Sequence, residues 1–314
     1  MKNRNVKRIG IVGTGVIGAS WTAYFLAHGF EVVATDPAQG AENRLRALVD
    51  SYWPTLEKLG LSEGASRDRL TFVSNLNEAF ADVDFVQENG PERLEIKREV
   101  IAAIDAIVPE DVLIATSSSG IVISTIQDAA RHPERIILGH PFSPPHLIPL
   151  VEVVGGTLTS QDSVEWAMAF YTSIGKKPIH IRREVKGHVA NRLQAALLQE
   201  AFSLVEQGVA SVADIDTAIS HGPGLRWALL GPFLNLQIAG GPGGLAHLLE
   251  HLGPPMESWW ADMKPVRLSA ELNEKAVAQA NEYLKPYRFE QTVEQRDDIL
   301  VQLLGLKAKA NQLP

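Results

Sequence analysis

The first half of the chain alternates short apolar runs with amphipathic stretches, and the second half consists of amphipathic stretches alone. The apolar runs predict strands at residues 8–12, 31–35, 70–73, 84–88, 112–116, 135–139, 150–154 and 178–182. Helical spacing fills most of the gaps, for example over 15–28 and 92–107. Strands alternating with helices in this way build a parallel sheet covered on both faces. An insertion at 41–67 separates the second and third strands, and its Leu45, Leu48, Tyr52, Leu56 and Leu59 recur at helical spacing. After about residue 184 the strand signals stop. Helices are predicted over 191–207, 211–220, 242–252, 270–283 and 293–304, with Gly-Pro steps at 222–223, 231–232, 241–242 and 253–254 marking turns.

The stretch "IGIVGTGVIGAS" places Gly13-x-Gly15-x-x-Gly18, with Val16 and Ile17 between the last two glycines, directly after the first strand and at the opening of a helix. Small residues there let a pyrophosphate approach the backbone, and the N–H groups at the helix start meet its charge. Asp36 closes the next strand, where a carboxylate accepts hydrogen bonds from ribose hydroxyls and repels a 2′-phosphate, so NAD is expected rather than NADP. The fold expected is therefore α/β. A Rossmann-type, doubly wound, mainly parallel sheet spans 1–184, and an all-helical substrate and dimerisation domain spans 185–314.

Composition narrows the partners. A formal net charge of −8 disfavours a phosphate-backbone binder, so no nucleic acid is expected. The chain has no cysteine, which removes disulfides and thiolate chemistry. No uninterrupted apolar run reaches the roughly 18 residues of a membrane span, and the basic start leads into the first strand rather than a signal peptide. A cytoplasmic protein with a small-molecule substrate and no membrane partner is the expectation.

The stretch "RIILGHPFSPPHLIPLVEVVGG" carries the candidate chemistry. His140 stands at a strand end, where open α/β sheets bind ligands. Glu152 interrupts the apolar residues Leu150, Val151, Val153 and Val154. A buried carboxylate is costly unless paired, and an imidazole partner would offset that cost. The pairing would orient the ring and stabilise its protonated form while a substrate hydroxyl loses its proton. On these residues alone, a structural histidine beside an unrelated carboxylate stands as the other reading.

With its glycine loop, "ATSSSGI", the His140–Val153 segment and "GHVANRLQ" in this order, the chain resembles the 3-hydroxyacyl-CoA dehydrogenase family up to roughly residue 254. The resemblance implies an NAD-dependent enzyme that oxidises a 3-hydroxyl to a ketone. It implies His140 as base, Glu152 as its orienting partner, and Ser119 and Asn191 as groups bonding substrate and catalytic side chains. It also implies cofactor contacts from Glu92 and Lys97 in "PERLEIK", and a homodimer. Ser117 and Ser118 compete with Ser119 for the serine role, and Asn191 on its residues alone reads equally as a helix cap.

The family's usual asparagine after the histidine is Ser143 here. The phrases "VQENGPERLEIKR", "VANRLQAALLQEAFSLVEQGVAS" and "GPGLRWALLGPF" are more similar to the branch containing L-gulonate 3-dehydrogenase (lambda-crystallin) and L-carnitine dehydrogenase. The resemblance thus implies a small free 3-hydroxy acid, with a 3-hydroxyacyl-CoA thioester of fatty acid metabolism as the alternative and a crystallin-like structural role as the non-enzymatic one. For a free acid, Arg226 is a candidate carboxylate partner and Trp227 a candidate face for a quaternary ammonium. A surface salt bridge for Arg226 and core or dimer packing for Trp227, Trp259 and Trp260 stand beside those readings. "HLLEH" spaces His247 and His251 as in inverted zinc peptidases, but no third ligand is identifiable, and no metal is expected.

Overall fold

A computed structural model describes residues 5–313 as two compact units, one ending at Arg192 and one starting at Leu193. The first unit is built on eight strands: β1 (Arg8–Val12), β2 (Glu31–Thr35), β3 (Leu70–Val73), β4 (Phe85–Glu88), β5 (Leu113–Thr116), β6 (Ile136–Pro141), β7 (Leu150–Gly155) and β8 (Lys177–Ile181). They form one sheet in the order β3-β2-β1-β4-β5-β6-β7-β8, parallel except for the antiparallel β6–β7 pair. Chain order reverses between β1 and β4. At their carboxyl ends this leaves the crevice where doubly wound sheets bind ligands.

Successive strand residues point to opposite faces, and the core follows that alternation. Ile9, Ile11, Phe85, Leu113 and Ile137 join one buried cluster, while Val33, Val86, Ile114, Ile136 and Leu138 join the other. The first cluster lies under α1 (Val16–Ala27), α2 (Ala41–Leu59) and α5 (Gln161–Ser173), which supply Trp21, Phe25, Leu45, Phe170 and Tyr171. The second takes Ile101 and Ile104 from α3 (Leu94–Asp105) and Ile126 from the short α4 (Ser124–Gln127). Helix α1 is buried from Gly18 to Ala27, so it shows no polar face.

Two expectations need correction. The insertion is helical only to Leu59, where Gly60 (φ 100°) ends it, and its buried face runs through Leu45, Val49, Trp53 and Leu56. Leu48 and Tyr52 flank that face, and Leu59 is exposed. In the second half, α6 (Ala190–Glu206), α7 (Val212–His221), α11 (Ala270–Leu284) and α12 (Phe289–Lys309) follow the predicted helices, with α12 extended at both ends. The Gly253-Pro254 step, however, is no turn: α10 (Gly244–Asp262) continues through Pro254 and Pro255. The two prolines remove bonds to the carbonyls one turn back, on Glu250 and His251. Both of those residues are exposed, so water satisfies what the prolines free. The steps at 222–223 and 231–232 instead start two helices absent from the prediction, α8 (Pro223–Trp227) and α9 (Pro232–Ala239), with proline at the first helical positions.

Candidate active site

The glycine loop joins β1 to α1 at the switch point. Gly13 has φ 86°, and a Cβ there would lie 2.7 Å from the backbone of Asn89, at the end of β4. A Cβ on Gly18 would sit 1.9 Å from the Gly13 carbonyl oxygen. Gly15 is different, since a Cβ there meets nothing within 4 Å. No side chain caps the start of α1, and no acidic residue stands in its first turn. Val16 is 60% exposed at that start. A helix end with free N–H groups, an open glycine and no negative charge fits a dinucleotide pyrophosphate. Asp36 stands beside the loop at the end of β2, where Oδ2 accepts hydrogen bonds from the Thr14 N–H (2.8 Å) and hydroxyl (3.2 Å), and Oδ1 from the Ala38 N–H (2.9 Å).

The β4 end is stiffened by a buried ion pair. Lys97 Nζ donates to both Glu88 oxygens at 3.0 and 2.9 Å and to the Gly90 carbonyl at 3.0 Å, and Thr116 donates to Glu88 at 2.6 Å. Lys97 is 1% exposed. Lys97, expected as a cofactor contact, commits its ammonium to Glu88 and Gly90. Glu92 Oε1 gathers the Ser118 hydroxyl and the N–H groups of Ser119, Gly120 and Ile121 at 2.8 to 3.3 Å. Burial would raise its carboxyl, but these donors and the nearby Lys97 hold it below the ordinary value. Glu92 thus shapes the turn after β5. In that turn Ser117 donates to Asn89 at 2.7 Å and Ser118 to Glu92, whereas the exposed Ser119 hydroxyl takes no hydrogen bond among the described residues.

His140 and Glu152 lie directly opposite each other in the antiparallel β6–β7 register. That pairing brings residues twelve apart in sequence together, with His140 Nδ1 2.8 Å from Glu152 Oε2. A carboxylate only accepts, so Nδ1 carries a proton, and in the uncharged ring Nε2 then keeps its lone pair. Glu152 is fully buried, and its Oε1 accepts from the N–H groups of Val189 (2.8 Å) and Ala190 (2.9 Å), where α6 begins. Burial would raise its carboxyl, but the His140 ring and those two N–H groups outweigh it and hold Glu152 below the usual carboxylate value. The carboxylate is ionised, buried and bonded on both oxygens. Asn191 Nδ2 donates to the Ser119 carbonyl at 3.3 Å, which joins the start of α6 to the turn after β5.

Comparison with known proteins accords with this geometry. Residues 8–185 match the family model described as the 3-hydroxyacyl-CoA dehydrogenase NAD binding domain, and residues 187–285 match the 3-hydroxyacyl-CoA dehydrogenase C-terminal domain. The chain belongs to the 3-hydroxyacyl-CoA dehydrogenase family. It is similar to an L-carnitine dehydrogenase of Streptomyces coelicolor, at 50% identity over 96% of this chain and 94% of that one. An L-carnitine dehydrogenase of Bacillus cereus is 45% identical over 98% and 95%. Among solved structures, 5-formyl-3-hydroxy-2-methylpyridine-4-carboxylic acid 5-dehydrogenase, an NAD+-dependent dismutase, superposes with a TM-score of 0.84 at 30% identity, covering 98% of this chain and all of that one. As a member of this family the chain is an NAD-dependent oxidoreductase that acts on the CH–OH group of a 3-hydroxy acid.

The other expected residues are spread more widely. Ser143 is exposed in the loop between β6 and β7. That loop is held from below. Lys176 Nζ donates to the carbonyls of Pro145 and Ile148, and the Ser20 hydroxyl bonds the ring and N–H of His146, whose ring stacks on Tyr52. Arg226 and Trp227 are exposed on α8 in the second unit. The His247 and His251 rings meet edge to face at 4.5 Å, and among the described residues no third His, Cys, Asp or Glu joins them. No helix of the described residues is long and apolar enough to cross a membrane. Sequence reading missed His188. Its φ is 52°, its ring centre lies 5.2 Å from that of His140, and its Nε2 is 3.1 Å from the Ser118 carbonyl. A lone histidine after a glycine carries no periodicity, so only tertiary placement reveals it.

Proposed function

We propose that this chain oxidises the 3-hydroxyl of L-carnitine to the 3-keto acid, with His140 as the general base. The observation that carries the base assignment is the His140–Glu152 pair, in which Nδ1 is fixed on a carboxylate and Nε2 is left to accept a proton. In the reaction Nε2 takes the hydroxyl proton as the C3–H bond breaks. The ionised Glu152 offsets the positive charge that His140 gains, and the α6 N–H groups keep Glu152 ionised and fixed. When bound, NAD supplies the acceptor for the hydride that leaves C3. The loop from Gly13 to Gly18, with Val16 and Ile17 at the helix start, would hold its pyrophosphate, and Asp36 its ribose. The free Ser119 hydroxyl and the neighbouring Asn191 amide are the groups proposed to hold the substrate oxygen near Nε2.

The substrate reading rests on the relatives named above and on chemistry. L-Carnitine carries a carboxylate and a quaternary ammonium beside its 3-hydroxyl. Arg226 offers a planar donor fork for the first and Trp227 a ring face for the second, and Ser143 adds a hydroxyl to the loop beyond His140. We further take residues 1–184 as the NAD-binding module, and residues 185–314 as a substrate module through which a cytoplasmic homodimer forms. Initial rates with L-carnitine, L-gulonate and 3-hydroxybutyryl-CoA, each with NAD, test the substrate. Turnover of carnitine well above the other two is expected. Turnover of the thioester alone overturns the free-acid reading and favours the alternative, whereas no turnover of any 3-hydroxy acid would favour a structural role.

A further inference from the structure

His188 is a second buried histidine at the site, and none of the family likeness assigns it a role. It is 2% exposed and the only described non-glycine residue with positive φ. It follows Gly187, also left-handed at φ 75°, and the two together turn the chain into α6. That turn aims the next two N–H groups, of Val189 and Ala190, at Glu152 Oε1. At its other end the His188 side chain reaches the Ser118 carbonyl, one residue before Ser119. Its backbone therefore sets the clamp on the carboxylate and its ring ties that clamp to the serine turn, beside the base at 5.2 Å.

We infer that His188 is a positioning residue that locks the Glu152 clamp and the Ser119 turn into one register around His140 while remaining uncharged. The inference rests on His140 being the base. Since a carbonyl only accepts, His188 Nε2 is the donor, and in the uncharged ring Nδ1 then carries no proton. The groups facing it are His140 on β6, Glu152 on β7 and Glu92 before α3. Burial, joined by the charge His140 takes up, pushes its imidazole below the ordinary value, against the Ser118 bond and the two carboxylates, which raise it. A neutral neighbour matters because a second imidazolium would oppose proton uptake by His140.

Three variants and one spectrum test this. His188→Phe keeps a buried ring but lacks the donor and disfavours left-handed backbone. His188→Asn tolerates that backbone and keeps a shorter amide donor. Misplacement of about 1 Å can cost about 10²-fold in rate, so His188→Phe is expected to lower kcat by about tenfold to 10²-fold with the NAD dissociation constant unchanged, and His188→Asn to recover most of the loss. Equal loss in both variants, or none in His188→Phe, overturns the inference. Should His188→Phe not fold, 15N imidazole spectra of the wild-type protein decide. One ring is expected to stay in the neutral Nε2–H tautomer under mildly acidic conditions, and a His188 ring that is protonated there overturns the inference. His140→Ala run in parallel separates the two levels. If it retains turnover, the base assignment fails; if it loses turnover while the His188 variants do not, only the present inference fails.

Discussion

At the residue scale the site is a chain of acceptors and donors: two α6 N–H groups on Glu152, Glu152 on His140 Nδ1, and a free lone pair at Nε2. Replacing Glu152 with glutamine keeps the shape and removes the charge. With no carboxylate left to offset the charge that the ring gains, kcat is then expected to fall. An unchanged kcat would contradict the pairing. Ser119→Ala is expected to lower kcat/KM for substrate more than Ser117→Ala, whose hydroxyl is already engaged with Asn89. The pair was readable in the sequence because a carboxylate within an apolar strand is energetically anomalous. Which of Ser117, Ser118 and Ser119 keeps an unbonded hydroxyl was not, since it depends on the contacts of Asn89 and Glu92, both from the segment that follows β4.

At the level of elements, all eight strands were evident from their apolar runs, as was the glycine loop, because both signals are local. What was not local was lost. The α2 face shifts to Val49 and Trp53 because burial depends on how the helix sits on α1. Helix α10 passes its prolines because exposed carbonyls find water. The opening of α1 yields a sharp prediction. Gly15 has φ −63°, which alanine tolerates, and a Cβ there touches no protein atom. Gly15→Ala is therefore expected to leave the unfolding temperature of the ligand-free protein unchanged while raising the NAD dissociation constant by about tenfold or more, about 1.4 kcal/mol. Calorimetry measures both, and intact NAD affinity would remove the cofactor from this loop.

The loop beyond His140 rests on Lys176, whose buried ammonium lies 3.6 Å from the centre of the Tyr24 ring. Burial brings that lysine down to about 7 from 10.5. Between those values the unfolded chain binds a proton that the folded chain does not, so stability rises with pH across that window. Lys176→Met loses this slope. Its unfolding temperature relative to wild type is expected to be higher near pH 6 than near pH 9, and a difference independent of pH would contradict the assignment.

Across the whole molecule, one unit carries the glycine loop and the His140–Glu152 pair, and the other is helical with large apolar side chains at its surface, among them Phe233 and Phe289. Sequence reading found amphipathic stripes there, but a stripe does not name what covers it. If the homodimer proposal holds, light scattering will return twice the 34.2 kDa chain mass. The central claim concerns chemistry: the imidazole of His140 accepts the substrate proton. Its most direct test is the steady-state rate of NAD reduction by the His140→Ala protein with L-carnitine, measured together with NAD affinity. The account predicts a rate lower by about 10²–10⁴-fold with NAD binding intact, and wild-type turnover in that variant would contradict it.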